Sequence, residues 1–383
     1  MKIKEPSLRA FWVQVHLWLG LTLGVLGMLI GISGSILVFD HDIDAVFNPQ
    51  RYAVSGPQVT LRYSDYLTNA AQSLESKAKP TFLRMPEEPG MPVVVIARAR
   101  GEGGGNVRMY MDPPTGRVLD TVPGGGFFGW LHSFHENLTL REYYGRETVG
   151  AVGIAMLLSS LSGLYLWWPA RGRWREALGF RRGLATTRNL HYVGGFYGFI
   201  VLAMLSFTGI FIAYTDAGRA AVAAFTAISP PARNIQAPAA PEGAKALKPD
   251  AAVDIAKALY PAETVWSVGL PNGARGAYRV NLSEPGVPEM QPARGAVVFI
   301  DPYSGNVLRR IDASTRTAGD NFLASQRNLH SGERLGIIGR IIICLAGLLP
   351  LLFVITGTVM WLKQRRVRAG AKANSLAAAA LRT

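Results

Sequence analysis

Cysteine occurs once in this chain of 383 residues, at Cys344, so no disulfide can form within it. Histidine is nearly as scarce, with six. Charge is thin: 17% of residues are Asp, Glu, Lys or Arg, against 49% apolar. The long apolar runs contain no Asp, Glu or Lys, which removes the groups an ion-coupled transporter would use. Glycine-rich 101–105 and 124–126 do not join a strand to a helix as a dinucleotide fingerprint requires. No flavin or nicotinamide domain is therefore expected.

What the chain does have is four apolar runs, at 12–39, 149–168, 192–214 and 337–362. Each reaches the roughly 20 residues that span a bilayer. The first is too long for a cleavable signal peptide and lacks a small-residue cleavage site, so it is expected to remain as an anchor. Basic residues gather beside the runs: Lys2, Lys4 and Arg9 before the first, and Arg171, Arg173, Arg175, Arg181, Arg182 and Arg188 between the second and third. Lys363, Arg365, Arg366 and Arg368 follow the fourth. All three clusters fall on one side, and short basic flanks mark the cytoplasmic face. The net charge of +14 is thus read as topology anchors and anionic-lipid contacts, with no nucleic acid as partner. The expected order is a cytoplasmic start and first helix over 1–39, an outer domain over 40–145 and a second helix over 146–168. A basic loop over 169–190, a third helix over 191–214 and a second outer domain over 215–336 follow. The fourth helix over 337–362 and a basic tail over 363–383 complete it, with both termini cytoplasmic in a bacterial inner membrane.

The two halves repeat each other. Asp112-Pro113-Pro114-Thr115-Gly116 matches Asp301-Pro302-Tyr303-Ser304-Gly305, a tight turn in which Pro fixes φ and Gly permits a positive φ. Each outer segment reads as a helix (64–77; 250–259) followed by β-like runs (92–99 and 107–111; 277–282 and 297–300). The fold class is therefore a membrane α-helical protein of four transmembrane helices, internally duplicated, with two small α+β periplasmic domains. Within the membrane, Ser162-Gly163 with Trp167 matches Thr356-Gly357 with Trp361. Gly145-Arg146 and Gly153 match Gly339-Arg340 and Gly347.

The histidines follow this repeat. His16 opens the first run and His191 the third, each with a glycine four residues on (Gly20, Gly195) and another eighteen on (Gly34, Gly209). His135 and His330 stand just upstream of the other two runs. Paired imidazoles across a pseudo-symmetry axis are the ligand set of a six-coordinate haem. His16 with His191 toward the cytoplasmic face, and His135 with His330 toward the outer face, would hold two b-type haems. With no Cys-x-x-Cys-His in the chain, these would be non-covalent. His132 shares a helix face with His135 and is the alternative outer ligand; His132-x-x-His135 with Glu136 is instead a candidate for copper or zinc. His41, in Asp40-His41-Asp42, is a candidate metal or substrate contact or an ordinary exposed histidine. Arg9, Arg188 and Arg334 are candidate propionate partners, and Trp12, Trp18, Trp167, Trp168 and Trp361 read as an aromatic belt.

The His-x-x-x-Gly openings, the Ser/Thr-Gly-x-x-x-Trp span ends, Leu329-His330-Ser331-Gly332 and the repeated Asp-Pro-x-Thr/Ser-Gly turns resemble the PepSY-associated transmembrane helix family, over almost the whole chain. That resemblance implies PepSY-like outer domains and a ferric-siderophore reductase of the ferrioxamine type carrying two haems. A ferric siderophore would be the periplasmic partner, and quinol or a separate reductase the electron donor. The extra His132 departs from the family pattern at the outer site. The rival readings are a non-enzymatic PepSY-type binding or regulatory membrane protein, which would be colourless, and a transporter.

Overall fold

The computed structural model describes residues 7–380, apart from 76, 100–104, 170–177, 182, 184, 233–234 and 285–294. Lys2, Lys4, Arg171, Arg173, Arg175, Arg182 and glycine-rich 101–104 lie outside the described residues. The chain divides into two units, one of Met1–Val38, Ser133–Thr215 and Leu329–Thr383, the other of Phe39–His132 and Asp216–Asn328.

The first unit is helical. Four segments are long and apolar enough to cross a membrane: Leu8–Leu37, Gly145–Trp167, Thr186–Ala213 and Glu333–Ser375, with mean hydropathy of 2.0, 1.8, 2.1 and 2.5. The first three are single helices, α1 (Leu8–Leu37), α5 (Gly145–Trp167) and α6 (Thr186–Ala213). The fourth is broken into α10 (Gly336–Gly347) and α11 (Leu349–Ala380). Pro350 explains the break, because it lacks the N–H that would bond back to Ala346 and its ring crowds that carbonyl. α1 packs on α5, α10 and α11, and α6 packs on α5, α10 and α11, which leaves α1 and α6 at opposite corners of a four-helix ring. Small residues permit the close crossings. A Cβ on Gly24 would meet Val354 at 3.3 Å and one on Gly153 would meet Ile210 at 3.2 Å.

The second unit is one antiparallel sheet of eight strands in the order β4-β3-β2-β1-β5-β6-β7-β8. The first segment gives β1 (Ala78–Arg84), β2 (Val93–Ala99), β3 (Asn106–Met111) and β4 (Val118–Pro123). The second gives β5 (Thr264–Gly269), β6 (Tyr278–Ser283), β7 (Gly295–Ile300) and β8 (Val307–Ile311). Each segment runs helix first and then a four-strand meander, led by α3 (Tyr63–Ser73) or α8 (Pro249–Leu259). The two α+β segments expected from the sequence share one sheet: β1 and β5 pair, with Leu83 opposite Val268. The reason is physical: a meander exposes an unpaired strand at each edge, and pairing the two first strands covers one edge of each, leaving β4 and β8 outermost.

Alternation along the strands places Leu83, Val93, Val95, Met109 and Met111, with Val268, Val280, Leu282, Val298 and Ile300, in cores beneath the two helices. Both tight turns form as the sequence implied. Gly116 (φ +66°) and Gly305 (φ +75°) donate back to Asp112 and Asp301 at 2.8 and 3.0 Å. The aspartate side chains accept from Thr115 at 2.5 Å and Ser304 at 2.7 Å, as turn-opening Asp residues do. Before α3 lie a short helix α2 (Asp40–Phe47) and a 3-10 turn at Pro49–Tyr52. Buried Asp44 accepts from Asn48 at 2.9 Å, Arg51 at 2.6 Å and Tyr52 at 3.0 Å, and Arg51 continues to Asp120 at 2.8 Å. Two further helices, α4 (Gly126–Asn137) and α9 (Ala318–Ser331), run from the sheet unit into the helical unit. Between them in the chain, α7 (Thr215–Ala223) follows α6.

Candidate functional site

Four of the six histidines meet two by two in the helical unit. His16 on α1 and His191 on α6 stand at opposite corners of the ring, each near the start of its helix. Their ring centroids are 6.3 Å apart, with the planes at 86°. α4 delivers His135 and α9 delivers His330, with centroids 6.2 Å apart and planes at 54°. Along α1 the level of His16 and the level of Gly34 are roughly 27 Å apart at 1.5 Å per residue, close to the roughly 30 Å thickness of a hydrocarbon core.

Each ring rests on a hydroxyl–glycine pair of another helix. His16 Nδ1 is 3.1 Å from Ser162 Oγ, and His191 Nδ1 is 2.8 Å from Thr356 Oγ1. His135 Nδ1 is 3.1 Å from Ser33 Oγ, and His330 Nδ1 is 2.9 Å from Thr208 Oγ1. The next residue is glycine every time. A Cβ on Gly163, Gly357, Gly34 or Gly209 would stand 3.1, 3.7, 2.7 or 3.3 Å from the Cε1 of its ring.

The hydrogen bonds suit a proton on Nδ1 of each ring. A hydroxyl has one proton to donate. Ser162, Thr356, Ser33 and Thr208 give theirs to the carbonyls of Ser159, Leu352, Ile30 and Met204, at 3.2, 2.7, 2.9 and 2.8 Å. With the hydroxyl protons so placed, the oxygens face the imidazoles as acceptors, which pairs with a proton on Nδ1. At His135 the Ile30 carbonyl, 2.9 Å from Nδ1, can only accept and demands the same tautomer. Nε2 of each ring is then left with its lone pair, as in histidines whose other nitrogen is tied by an outer partner while this one binds metal.

The spacing and space fit a planar metal cofactor. Two imidazole–metal bonds of about 2.0–2.1 Å, plus about 1.1 Å from each nitrogen to its ring centre, separate collinear rings by roughly 6.2–6.4 Å. The inner pair borders a cavity of about 500 Å³ that Gly20, Gly195, Phe199 and Phe353 also line. Gly20 and Gly195 lie one turn beyond the histidines on the same helix faces, and a Cβ on either would meet nothing within 4 Å. Such an apolar slot, floored by glycine and walled by aromatics, suits a haem. Arg9 and Arg188 line its edge, as propionate partners would, whereas Arg334 stands in the short turn Glu333–Leu335 and does not line it. Of the expected belt tryptophans, Trp167 and Trp361 line the cavity; Trp167 stacks on Phe196 at 4.2 Å. Trp18 and Trp168 are exposed.

The remaining histidines stand apart from these pairs. His132 is exposed, while the ring of His135 is the one facing His330. Among the described residues, no three of His, Cys, Asp and Glu gather to hold a small metal ion. His41 Nδ1 is 2.9 Å from Asp40 Oδ1. Burial pushes the Asp40 carboxyl up, but the His41 hydrogen bond and charge, with Arg108, hold it below its ordinary value. The Asp40 hydrogen bond outweighs burial at His41 and raises its imidazole.

The sequence reading overlooked the seats at Ser33 and Thr208, although the signal was present. Ser33-Gly34 and Thr208-Gly209 are the same Ser/Thr-Gly dipeptide as Ser162-Gly163 and Thr356-Gly357. It also overlooked what Arg146 and Arg340 do. Arg146 donates to the carbonyls of Ala213 (3.0 Å) and Ile212 (2.6 Å), and Arg340 donates twice to Val38, at 3.0 and 2.8 Å. Each guanidinium caps the C-terminal end of the helix that seats an outer histidine, where cations are favoured.

Long apolar helices that carry paired histidines, together with an antiparallel sheet unit, define a multi-pass membrane protein. The family model described as the PepSY-associated TM region matches residues 13–364, and the chain belongs to that family. No curated protein matches it.

Proposed function

We infer that this protein is a di-haem oxidoreductase of the bacterial inner membrane, passing electrons outward to a periplasmic ferric siderophore. The observation that carries this reading is the fourfold hydroxyl seat, which holds two pairs of imidazoles with ring centroids 6.3 and 6.2 Å apart. His16 and His191 would hold one b-type haem, and His135 and His330 the other. The haems, when bound, supply one-electron transfer that no side chain of the protein offers.

The chain's own residues do the rest. The hydroxyls would hold each imidazole in one orientation with Nδ1 as donor, leaving Nε2 to hold a haem. The glycines let the rings and the cofactor approach the helix backbones. Basic flanks orient the unit with His16 and His191 at the cytoplasmic side, where quinol or a separate reductase would deliver electrons. The sheet unit would face the periplasm. Reduction of a ferric hydroxamate there weakens the grip of its hard oxygen donors and frees Fe(II).

The test is reoxidation of the dithionite-reduced, desalted protein under anaerobic conditions. Adding ferrioxamine should restore the oxidised spectrum while a ferrous-specific chelator captures the released iron. A reduced haem spectrum that ferric chelates leave unchanged would remove siderophore reduction from the account.

A further inference from the structure

A second cavity adjoins the inner one. It measures about 360 Å³ and lies between the first turn of α6 and the part of α11 beyond the inner histidines. Arg188, Lys363 and Arg368 line it, with Gln364, Met360 and Thr187, and among the described residues no acidic side chain does. Arg188, Met360 and Gln364 line both cavities, so the basic chamber opens directly beside the space between His16 and His191. Three cations from two helices line one recess, a donor set that suits an anion. The first turn of α6 adds partial positive charge, since Ala185 provides no side-chain cap.

We propose that this chamber is a phosphate-binding site, taking the phosphate of either an anionic phospholipid or a soluble phosphorylated redox molecule. Guanidinium and ammonium groups are the side chains that bind phosphate. Gln364 can donate a further hydrogen bond, while Met360 and Val367 offer apolar contact to the body of the ligand. Arg188 lines both spaces, so Lys363 and Arg368 are the cations that belong to this site whether or not the histidines hold haem. If they do, a phosphorylated donor bound here would sit next to the inner cofactor, and a lipid bound here would seal its edge.

Two probes separate the sources. Oxidised flavin mononucleotide and riboflavin share one ring system and differ by the phosphate, so fluorescence quenching by the detergent-purified full chain compares them without involving haem. Native mass spectrometry of protein taken from phosphatidylglycerol or phosphatidylcholine nanodiscs reads out retained lipid. The variant is Lys363→Gln with Arg368→Gln, both exposed on α11, and Lys363→Arg with Arg368→Lys is the charge-preserving control. Flavin mononucleotide binding at least tenfold tighter than riboflavin, lost in the glutamine variant and kept in the control, supports the soluble ligand. Phosphatidylglycerol retained by the parent and control but lost from the glutamine variant supports the lipid. Parent and glutamine variant alike toward both probes would overturn the proposal.

Discussion

Replacing Gly20 or Gly195 by leucine separates a cofactor slot from ordinary helix packing, because the two interpretations predict opposite effects. In the structure a Cβ at either position meets nothing within 4 Å, so no carbon would fall inside the roughly 3.5–4.0 Å contact distance. Exchanging glycine for leucine inside a helix should favour the helix by up to about 1 kcal/mol. The apoprotein should therefore keep its thermal midpoint or gain slightly. The cofactor should suffer, since the leucine side chain would occupy the layer in which a flat ring must lie against α1 or α6. The account predicts that haem content falls from about two per chain to about one, with the inner pair emptied and the outer pair intact. The assay is a pyridine haemochrome ratio alongside a thermal melt of the same preparation. Gly20→Leu and Gly195→Leu proteins that keep two haems and an unchanged spectrum would refute the slot, and with it the role given to the His-x-x-x-Gly openings.

Gly34→Ala should disturb the outer pair far more than Gly357→Ala disturbs the inner one, since the new Cβ stands 2.7 Å from His135 but 3.7 Å from His191. The first should carry an overpacking cost of about 1–3 kcal/mol, read as lost or altered haem at the outer site. Removing a seat hydroxyl, as in Ser162→Ala or Thr356→Val, frees the imidazole to change tautomer. Cofactor affinity at that pair should fall by roughly 10–100-fold, measured by competition with an apo-haem acceptor. Arg340→Gln leaves the end of α1 without its charged cap and should cost about 1.5–3 kcal/mol, seen in thermal unfolding together with a shifted outer-haem potential. Around Asp40–His41 the pH dependence has a definite sign. Stability from His41, raised above 6.5, is fully present below that pH and is lost as pH rises through the raised value. Stability from Asp40, lowered below 3.8, is present above 3.8 and is lost as pH falls. His41→Ala should thus destabilise most between about pH 4 and 6.5, as chemical denaturation across pH would record.

The membrane helices were legible because their signal is length and apolarity, and both lie in the local sequence. The break at Leu348 was less so: Pro350 was visible, but its effect depends on the helix continuing on both sides. Turns at Asp112 and Asp301 were read correctly because Asp, Pro and Gly each impose a local backbone requirement. The joining of β1 to β5 was not readable. Ala78–Arg84 carries Lys79 and Pro80 inside the strand, and nothing local states which partner an edge will choose. Short α2, rich in aspartate, also escaped notice. At the site, periodic placement of His16, His135, His191 and His330 announced the pairing. The hydroxyls that hold them are contributed by other helices up to 165 residues away, so only the folded arrangement joins each seat to its ring.

The most direct test of the central claim is a visible spectrum of the detergent-purified full chain, before and after dithionite, with the haem-to-protein ratio from the same sample. The account predicts sharp reduced α and β bands of six-coordinate haem and about two haems per chain. Protein expressed with ample haem that is nevertheless colourless would contradict it, and the four seated histidines would then need another explanation.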